Sequence, residues 1–482
     1  MDPRPFLAVA TLLVLSASAA SGNVAFQVHS KLKGRERSLS ALREHDSRRH
    51  GRLLSAVDFH LGGNGNPSDT GLYYAKIGLG SPSKDYYVQV DTGSDILWVS
   101  CAGCDRCPTK SSLGIKLEAY DPKSSSTAST VKCDQEYCIY ANNGELPGCK
   151  SDLLCQYNVV YGDGSSTTGY YVKDQMRLDR VTGNLQSSWT NASVIFGCAN
   201  KQSGDLGSGE DSAALSGLMG FGQSNTSVLS QLASAGKVKK IFAHCLDSKQ
   251  GGGIFTIGEV VEPKVKTTAL VPNQSHYNVV MKAIEVGGEA IQLGTGILGL
   301  FDDEKHAIID SGTTLVYLPG DIYDSLMSKI LAKQSGLKLH TVDEQFTCFE
   351  FSEDVDDGFP AVKFQFAGSL DLTAYPHDYL FPISDNKWCF GWMSSSMQSK
   401  GKDVILLGDL VLSNKLVVYD LVNQTVGWVD FNCSSSIKVK DEESGATYAV
   451  GAHDLSSRAA QVVGRTFTWL LLIPAILYSL PS

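Results

Sequence analysis

Two stretches of this sequence, VQVDTGSDILWVS at 88–100 and HAIIDSGTTLVYL at 306–318, share one pattern. In each, a run of apolar and β-branched residues leads to an aspartate, which is followed by a small hydroxyl residue, a glycine and a second hydroxyl residue. An apolar-apolar-Gly segment lies downstream of each motif, GLMGFG at 217–222 and LLGDLVL at 406–412. The period is far longer than the roughly 20–50 residues of solenoid repeats. The pattern therefore predicts two related domains that face each other.

The length of 482 residues supports two domains, because one hydrophobic core rarely serves a chain of this size. From residue 72 onward, β-rich runs alternate with Gly/Ser/Pro turn residues, which is typical of hairpins. Helical patterns are few, TSVLSQLASAG at 226–236 and GDIYDSLMSKILAKQSG at 320–336, and we expect Gly336 to end the second. The sequence predicts a mainly β fold of two related β-lobes with a cleft between them.

Each part of the repeated motif has a role if the two turns meet in space. The glycine allows the tight turn that presents the carboxylate at the end of a strand. The last hydroxyl residue can donate to the outer oxygen of the aspartate, and the middle one can hydrogen-bond to the opposite lobe. The supporting residues that this argument names are Thr92, Gly93, Ser94, Ser311, Gly312 and Thr313.

The aspartates themselves, Asp91 and Asp310, carry the expected chemistry. Two carboxylates within about 3 Å cannot both ionise at little cost, so they share one proton. One carboxylate then acts as a base toward a water held between them, and the protonated one polarises a carbonyl. The titrations belong to the pair rather than to either residue. This arrangement hydrolyses a peptide bond without a metal, a cofactor or a covalent intermediate.

These motifs closely resemble those of the pepsin-like aspartic endopeptidases, especially the plant nepenthesin-like branch, over about residues 72–433. The resemblance implies the bilobal pepsin-like fold, with Asp91 and Asp310 as the catalytic pair. It also implies that Tyr161, in VVYGDGSSTTG, lies on a β-hairpin flap over the substrate and that Trp98 can hydrogen-bond to it. The resemblance further implies that the GLMGFG and LLGDLVL segments of this chain lie beneath the two aspartate turns.

The flap departs from the family at one position. Asp163 follows the flap glycine Gly162, where pepsins often carry Thr, and so adds an acidic group near the cleft. We expect this group to affect the pH optimum or the choice of substrate. The cysteine-rich insertion also differs from animal pepsins, so their substrate pockets do not transfer.

The twelve cysteines are even in number and, in a secreted chain, indicate disulfides. The CAGCDRC cluster would suggest zinc in a cytosolic protein, and that alternative stays open, as does the connectivity. Cys348 and Cys389 can pair within the second half, and the resemblance implies that CAGCDRC and the Cys133–Cys155 region form a disulfide-rich insertion. The candidates are Cys101, Cys104, Cys107, Cys133, Cys138, Cys149, Cys155, Cys198, Cys245, Cys348, Cys389 and Cys433. Five glycosylation sequons fit the same compartment, at Asn191, Asn225, Asn273, Asn423 and Asn432.

Both ends of the chain carry targeting patterns. Residues 1–22 combine a positive start, a short apolar run and small residues, as in a secretory signal peptide. The apolar stretch near 467–480 ends at the chain terminus and is short for a membrane span, which favours a glycosylphosphatidylinositol (GPI) signal. Ser457 has the more usual distance to this tail, whereas Ser444 has better small neighbours. A short tail anchor or an unstructured extension is the alternative.

A basic leader precedes an acidic body. Residues 24–52 carry eight basic and three acidic side chains, although the whole chain has a net charge of −10. This contrast suggests an electrostatically docked prosegment, with a flexible linker as the alternative. The predicted organisation is a signal peptide (1–22), a basic prosegment (23–70), an N-terminal β-lobe (71–265), a C-terminal β-lobe (266–433), a polar spacer (434–458) and a removed GPI-signal tail (459–482).

The predicted function is that of a cell-surface aspartic endopeptidase of the secretory pathway, GPI-anchored in the outer leaflet of the plasma membrane. Its partners would be protein or peptide substrates. Nucleic acid is not expected, because the basic clusters lie in the removable leader. One chain supplies both aspartates, so a monomer is expected. The histidines show no cluster with metal-ligand spacing, and no metal is expected. The alternative is a catalytically silent binding or inhibitor protein of the same fold.

Overall fold

The described part of the chain lacks both termini. The computed structural model describes residues 55–67, 71–142, 144, 146–204, 206, 213–291, 293, 305–343, 345–395, 404–442 and 444–455. The predicted signal peptide, most of the predicted prosegment, Ser457 and the predicted GPI-signal tail lie outside these residues.

Strands dominate the described residues. They are β1 Val57–Asn64, β2 Leu72–Leu79, β3 Lys84–Asp91, β4 Leu97–Asp105, β5 Ser129–Thr130, β6 Gln156–Val160, β7 Ser166–Gly183, β8 Gln186–Ser203, β9 Gly217–Gly220, β10 Ile241–Leu246, β11 Gly253–Ile257, β12 Lys266–Ala269, β13 Asn278–Val286 and β14 Glu289–Ile291. The second half adds β15 Lys305–Ile309, β16 Val316–Leu318, β17 His340–Val342, β18 Phe346–Glu350, β19 Val362–Phe366, β20 Leu370–Ala374, β21 Leu380–Ser384, β22 Lys387–Phe390, β23 Trp392–Ser394, β24 Ile405–Leu407, β25 Lys415–Asp420, β26 Thr425–Asp430, β27 Ser436–Lys440 and β28 Thr447–Gly451.

Helices in the described residues are short. They are α1 Glu136–Ala141, α2 Val228–Ser234, α3 Gly320–Leu331, α4 Val355–Gly358, α5 Pro376–Tyr379 and α6 Asp409–Leu412, with 3₁₀ turns at Pro122–Ser124 and Ala367–Ser369. None of the helices in the described ranges has both the length and the apolar character needed to span a bilayer.

The two predicted helices are present but shorter than expected. In α3, Ile322, Leu326 and Ile330 recur at the helical period and are buried, which explains why this segment is helical. The helix ends at Leu331, so Gly336 does not end it. Helix α2 begins after Ser227, whose hydroxyl accepts a hydrogen bond from the Ser230 N–H and caps the first turn.

The strands form two main sheets whose inner residues alternate with exposed ones, as in β19, where buried and partly exposed residues alternate. The larger sheet has 14 described strands in the order β12-β26-β25-β10-β11-β1-β2-β3-β9-β4-β8-β7-β5, with β6 on β7. The second has eight, in the order β20-β19-β13-β15-β24-β16-β23, with β14 on β13. This architecture confirms the predicted mainly β, two-lobed fold.

Strands of the second half also complete the larger sheet. Strand β25 pairs with β10, and β12 and β26 extend this edge. Phe242 on β10 stacks on Tyr419 of β25, with ring centroids 4.4 Å apart. Pairing covers backbone groups that a free edge strand would expose. The predicted division at residue 265/266 therefore does not separate the sheets.

Both outer boundaries of the predicted lobes also need correction. Strand β1 lies in the predicted prosegment but pairs with β2 and β11 inside the larger sheet. Strands β27 and β28 lie in the predicted polar spacer, yet they form a hairpin in which Ile437, Val439 and Val450 are buried. Apolar residues alternate with polar ones in these strands and pack against the core. The polar average composition of the segment does not show this alternation. The folded unit thus extends beyond 71–433 at both ends.

All twelve cysteines form disulfides, as predicted. The pairs are Cys101–Cys198, Cys104–Cys107, Cys133–Cys149, Cys138–Cys155, Cys245–Cys433 and Cys348–Cys389. The zinc alternative for CAGCDRC is wrong, because Cys104 bonds Cys107 whereas Cys101 bonds a distant strand. The expected Cys348–Cys389 pair is confirmed: the two residues lie opposite each other on β18 and β22.

Candidate active site

The aspartate turns occupy equivalent places in the two sheets. Strand β3 ends at Asp91 and pairs in parallel with β9, so that Asp91 lies beside Gly220. Strand β15 pairs in parallel with β24, with Ile309 beside Leu407, and Asp310 follows directly. The apolar-apolar-Gly segments therefore support the two turns from the adjacent strand, in the positions that the repeat suggested.

Each aspartate is held by its own turn through both carboxylate oxygens. Asp91 Oδ1 accepts from the Gly93 N–H at 2.7 Å, and Oδ2 accepts from the Ser94 hydroxyl. Asp310 Oδ1 accepts from the Gly312 N–H at 2.8 Å. Its Oδ2 accepts from the Thr313 hydroxyl at 2.8 Å. These bonds orient the two carboxylates and leave little rotamer freedom.

The two turns are tied to each other by the middle hydroxyl residues. The Ser311 N–H donates to Thr92 Oγ1 at 2.8 Å, and the Thr92 hydroxyl donates to the Ile309 carbonyl at 3.3 Å. The Ser311 hydroxyl donates in return to the Val90 carbonyl at 3.4 Å. This reciprocal set fixes the distance between the lobes at the site, because both partners are buried and would otherwise lose their hydrogen bonds.

Glycine is required in both turns by the closeness of the opposite aspartate. A Cβ placed on Gly93 would lie 2.5 Å from Asp310 Oδ2, and one placed on Gly312 would overlap Asp91 Oδ1. Each carboxylate therefore lies against the backbone of the other turn. Any side chain at these positions would push the aspartates apart.

Burial and the mutual charge set the protonation of the pair. Asp91 and Asp310 have exposed fractions of only 6% and 7%. Burial, followed by the negative charge of Asp310, raises the pKa of Asp91 well above that of a free carboxyl. The Ser94 hydroxyl opposes this by stabilising the carboxylate. The pair is thus organised to retain a proton in mildly acidic solution.

The predicted flap hairpin is formed, and a hydrogen bond links it to the strand that follows the Asp91 turn. Strands β6 and β7 flank the turn, and Gly164 adopts a positive φ of 86°. The Trp98 Nε1–H donates to the Tyr161 hydroxyl at 2.6 Å. Burial and then the nearby charge of Asp91 raise the pKa of Tyr161.

The other two flap residues have different surroundings. Asp163 Oδ1 accepts from the N–H and the hydroxyl of Ser165, at 2.9 Å and 2.7 Å, and so closes the flap turn. Gly162 is exposed, and apart from its chain neighbours no atom of the described residues lies within 4 Å of a Cβ placed there. Asp163 thus has a structural role in the turn, whereas its predicted effect on substrate or pH stays a prediction.

Two further residues at the site were not predicted. The Gln89 side-chain amide donates to the Gly312 carbonyl at 3.0 Å and adds a bond between the turns. Asp409 is buried within the LLGDLVL segment, and burial followed by the charges of Asp310 and Asp91 raises its pKa. An acidic residue in an otherwise apolar segment was a signal that could have identified Asp409. Gln89 gave none, because its partner lies in the other half.

The fold and this paired-aspartate site define an aspartic protease. Two family models match the chain, one described as "Xylanase inhibitor N-terminal" over residues 73–259 and one as "Xylanase inhibitor C-terminal" over residues 276–430. Aspartic proteinase 36 of Arabidopsis thaliana is 53% identical and covers 98% of this chain and 97% of its own. Aspartic proteinase 39 of the same plant is 47% identical over 99% of both chains. The chain therefore belongs to the pepsin-like aspartic proteases and is an aspartic-type endopeptidase.

More distant proteins share the fold. Aspartic proteinase nepenthesin-2 of Nepenthes gracilis is 30% identical over 76% of this chain and 79% of its own. The solved structure of edgp superposes with a TM-score of 0.61 at 20% identity, over 79% of this chain and 95% of that one. Conglutin gamma, a basic 7S globulin from lupine seeds, superposes with a TM-score of 0.61 at 20% identity, over 79% and 96%. At this level of identity, these two structures support the fold alone.

Proposed function

We propose that Asp91 and Asp310 hydrolyse peptide bonds through a single water molecule held between them. The observation that carries this proposal is the mutual arrangement of the turns: each carboxylate is held by a backbone N–H and a hydroxyl, and each lies against the other turn's glycine. Because the two carboxylates lie against each other's turns, one oxygen of each can reach the same water molecule.

The reaction needs one proton on the pair. The ionised carboxylate removes a proton from the water while its oxygen attacks the carbonyl carbon of the substrate. The protonated carboxyl donates its proton to the carbonyl oxygen, which yields a tetrahedral diol. The proton taken from the water then passes to the amide nitrogen as the C–N bond breaks. One hydroxyl of the diol gives its proton back to the pair as the C=O bond re-forms, so that the pair regains its single proton. Tyr161, held by Trp98, would close the site against bulk water.

Activity measurements test the role of the pair. Asp91→Asn and Asp310→Asn should each abolish cleavage of a denatured protein at acidic pH, because an amide cannot exchange the required protons. Pepstatin-type inhibitors should block the wild type. Asp324→Asn, on the exposed face of α3, is the matched control and should retain full activity. Cleavage that survives either dyad substitution would contradict the proposal.

A catalytically silent binding protein is the second candidate. The family models that match the chain are described as xylanase inhibitor domains. An intact pair of aspartate turns and the Trp98–Tyr161 bond favour the protease instead. A processed wild-type protein that binds a partner protein without turning over any substrate would support the silent alternative.

We also propose that the enzyme is secreted and held at the outer leaflet of the plasma membrane by a GPI anchor, as in the nepenthesin-like branch that its motifs resemble. Six disulfides support an oxidising compartment. All five sequon asparagines are exposed, which supports their glycosylation: Asn191, Asn225, Asn273, Asn423 and Asn432.

The structure of the C-terminal hairpin supports Ser457 over Ser444 as the attachment residue. Ser444 lies in the turn between β27 and β28, where its hydroxyl donates to Asp441 Oδ2 at 2.6 Å. Processing at Ser444 would remove β28 and uncover the buried Ile437 and Val439. Processing at Ser457 leaves the hairpin intact.

Release from cells tests the anchor. Phosphatidylinositol-specific phospholipase C should free the protein, and deletion of residues 459–482 should yield a freely secreted enzyme. The amount of the deletion variant in the medium shows how much protein the cells make and secrete. Material that only detergent releases would argue for a spanning tail.

A further inference from the structure

A second cluster of reactive side chains lies on elements that do not carry the aspartate turns. Asp58 and His60 belong to β1, and His453 follows β28. One potential ligand atom from each residue lies within 4.8 Å of the others. We propose that these three side chains form a binding site for a divalent transition-metal ion, with Zn²⁺ as the ion that suits them best.

The backbone holds the three residues in place. Asp58 and His60 are two residues apart on a strand, so their side chains point to the same face. His453 is fixed by two backbone hydrogen bonds with Gly253, its N–H to the Gly253 carbonyl and the Gly253 N–H to its carbonyl, both at 2.8 Å. Only side-chain rotation is therefore needed to bring the ligands together. Tetrahedral zinc, with bonds of about 2.0–2.1 Å to nitrogen, sets its ligand atoms about 3.3 Å apart.

The pairwise contacts already approach this geometry. His453 Nε2 lies 2.7 Å from Asp58 Oδ2, and the rings of His60 and His453 stack with centroids 4.0 Å apart. The side chain of Asp58 is only 11% exposed. Its other oxygen, Oδ1, is buried without a hydrogen-bond partner among the described residues. A buried carboxylate oxygen in that state is costly, and a metal ion would satisfy it.

The local charge also favours a cation. Asp58 lies directly opposite Asp179 in the pairing of β1 with β7, and like charges in such pairs are destabilising. Asp179 Oδ2 is 3.6 Å from His60 Nε2. With neutral histidines, the two carboxylates carry a charge of about −2, which one divalent ion balances. Asp179 can accept a hydrogen bond from a ligand imidazole and orient it, as carboxylates beside zinc histidines do.

The chemistry of binding is a simple exchange. The ion replaces the hydrogen bond between His453 Nε2 and Asp58 Oδ2. The neutral imidazole then carries its proton on the other ring nitrogen, and the ion forms bonds to two imidazole nitrogens and a carboxylate oxygen. Imidazole ligands select Zn²⁺ or Cu²⁺ over Ca²⁺ and Mg²⁺, which prefer oxygen ligands alone. A cavity of about 710 Å³ borders the three residues and is lined also by Leu185 and Ser435, so solvent can supply a fourth ligand.

Such a site would cross-link two ends of the folded unit. It would join β1, near the start of the folded unit, to the segment after β28, near its end. The ion would thus hold the C-terminal hairpin against the large sheet without taking part in the dyad chemistry.

Calorimetric titration tests the site. The full-length protein, freed of metal with a chelator, should bind ZnCl₂ with a stoichiometry of one and should not respond to CaCl₂. His60→Gln and His453→Gln should each weaken zinc binding by at least about tenfold, since even the loss of an orienting partner costs that much. His377→Gln is the matched control, because His377 also pairs with a carboxylate, Asp356, at 2.7 Å but belongs to no metal-ligand cluster among the described residues. It should bind zinc as the wild type does.

X-ray absorption of the zinc-loaded wild type keeps the proposal testable if a variant fails to fold. We expect two imidazole ligands and light-atom bonds of about 2.0–2.2 Å. A wild type that shows no saturable zinc binding would overturn the proposal and leave a plain His–Asp pair. Zinc binding that both histidine variants retain at full strength would overturn it as well, as would a spectrum without imidazole ligands.

Discussion

At the scale of single residues, the site depends on the hydrogen bonds that each aspartate oxygen accepts from its own turn. Asp91 is buried beside a second carboxylate, which raises its pKa, and the Ser94 hydroxyl is the largest opposing influence. A hydrogen bond to a charged group contributes about 1.5–3 kcal/mol. One hydroxyl can therefore move the protonation of the pair by about one pKa unit.

Removal of this hydroxyl should shift the pH dependence of catalysis. Ser94→Ala deletes a donor that favours the carboxylate, so the pKa of the pair rises further. The active form carries one proton, and activity is lost as the pH rises through this pKa. The alkaline limb of kcat/KM should thus move to higher pH by about one unit.

Ser94→Thr is the conservative control for this shift, because it keeps the hydroxyl. Its alkaline limb should stay near that of the wild type. A Ser94→Ala profile that stays in place or moves to lower pH would be inconsistent with this role of the hydroxyl.

At the scale of elements, the hairpin of β27 and β28 turns a predicted spacer into part of the fold. Five residue pairs join the strands from Ser436↔Gly451 to Lys440↔Thr447. Ile437, Val439 and Val450 pack with residues of β10 and β11 and with the Cys245–Cys433 disulfide. Burial of each such side chain contributes about 1.5–3 kcal/mol.

Truncation at two positions should distinguish the contribution of the hairpin to stability from that of the C-terminal tail. A chain that ends at Ser444 loses β28, and its free energy of unfolding should fall by roughly 3 kcal/mol or more, because the apolar face of β27 becomes exposed. A chain that ends at Ser457 retains β28 and should unfold like the untruncated protein. Thermal unfolding of the two truncated proteins compares them directly. Equal stability would show that the hairpin contributes nothing.

At the scale of the whole molecule, buried carboxylates link stability to pH. Burial raises the pKa of several aspartates that the fold contains: Asp91, Asp95, Asp378 and Asp409. A group whose pKa is higher in the folded than in the unfolded state binds more protons when folded. Its stabilising contribution is present below the unfolded pKa and is lost as the pH rises through the folded pKa.

Asp409 offers the cleanest test of this linkage. Its pKa is raised mainly by burial, and its Oδ1 has no hydrogen-bond partner among the described residues. Asp409→Asn removes the charge and nearly preserves the shape. The variant should therefore be more stable than the wild type at pH 7, by at least about 1 kcal/mol, with little difference near pH 4.

Urea unfolding at the two pH values measures this difference. Asp324→Asn, which removes an exposed charge on α3, is the control for the loss of a charge and should change the stability at pH 7 by no more than about 0.5 kcal/mol. A destabilised Asp409→Asn variant at pH 7 would mean that the ionised carboxylate has a favourable partner.

Much of the candidate site could be read from residue order alone. Each aspartate turn is local, because four consecutive residues supply the carboxylate, the glycine and the hydroxyl donors. The flap was predicted from the resemblance to the pepsin-like aspartic proteases, and Asp163 closes the turn between β6 and β7. Alternation of apolar residues indicated the strands, because it reflects the side of the sheet that each residue faces. The hairpin after residue 433 was not predicted, because polar residues dominate the composition of this segment.

Contacts between distant parts of the chain were decided only in three dimensions. The Cys245–Cys433 disulfide, the pairing of β10 with β25 and the bond from Gln89 to Gly312 all join residues whose order along the chain carries no mark of their closeness. Asp58 and His453 are 395 positions apart and yet lie within hydrogen-bonding distance. Local motifs survive in a linear sequence because their geometry is set by neighbouring backbone angles. Clusters like that of His60 and His453 arise only when the sheet brings separate strands together.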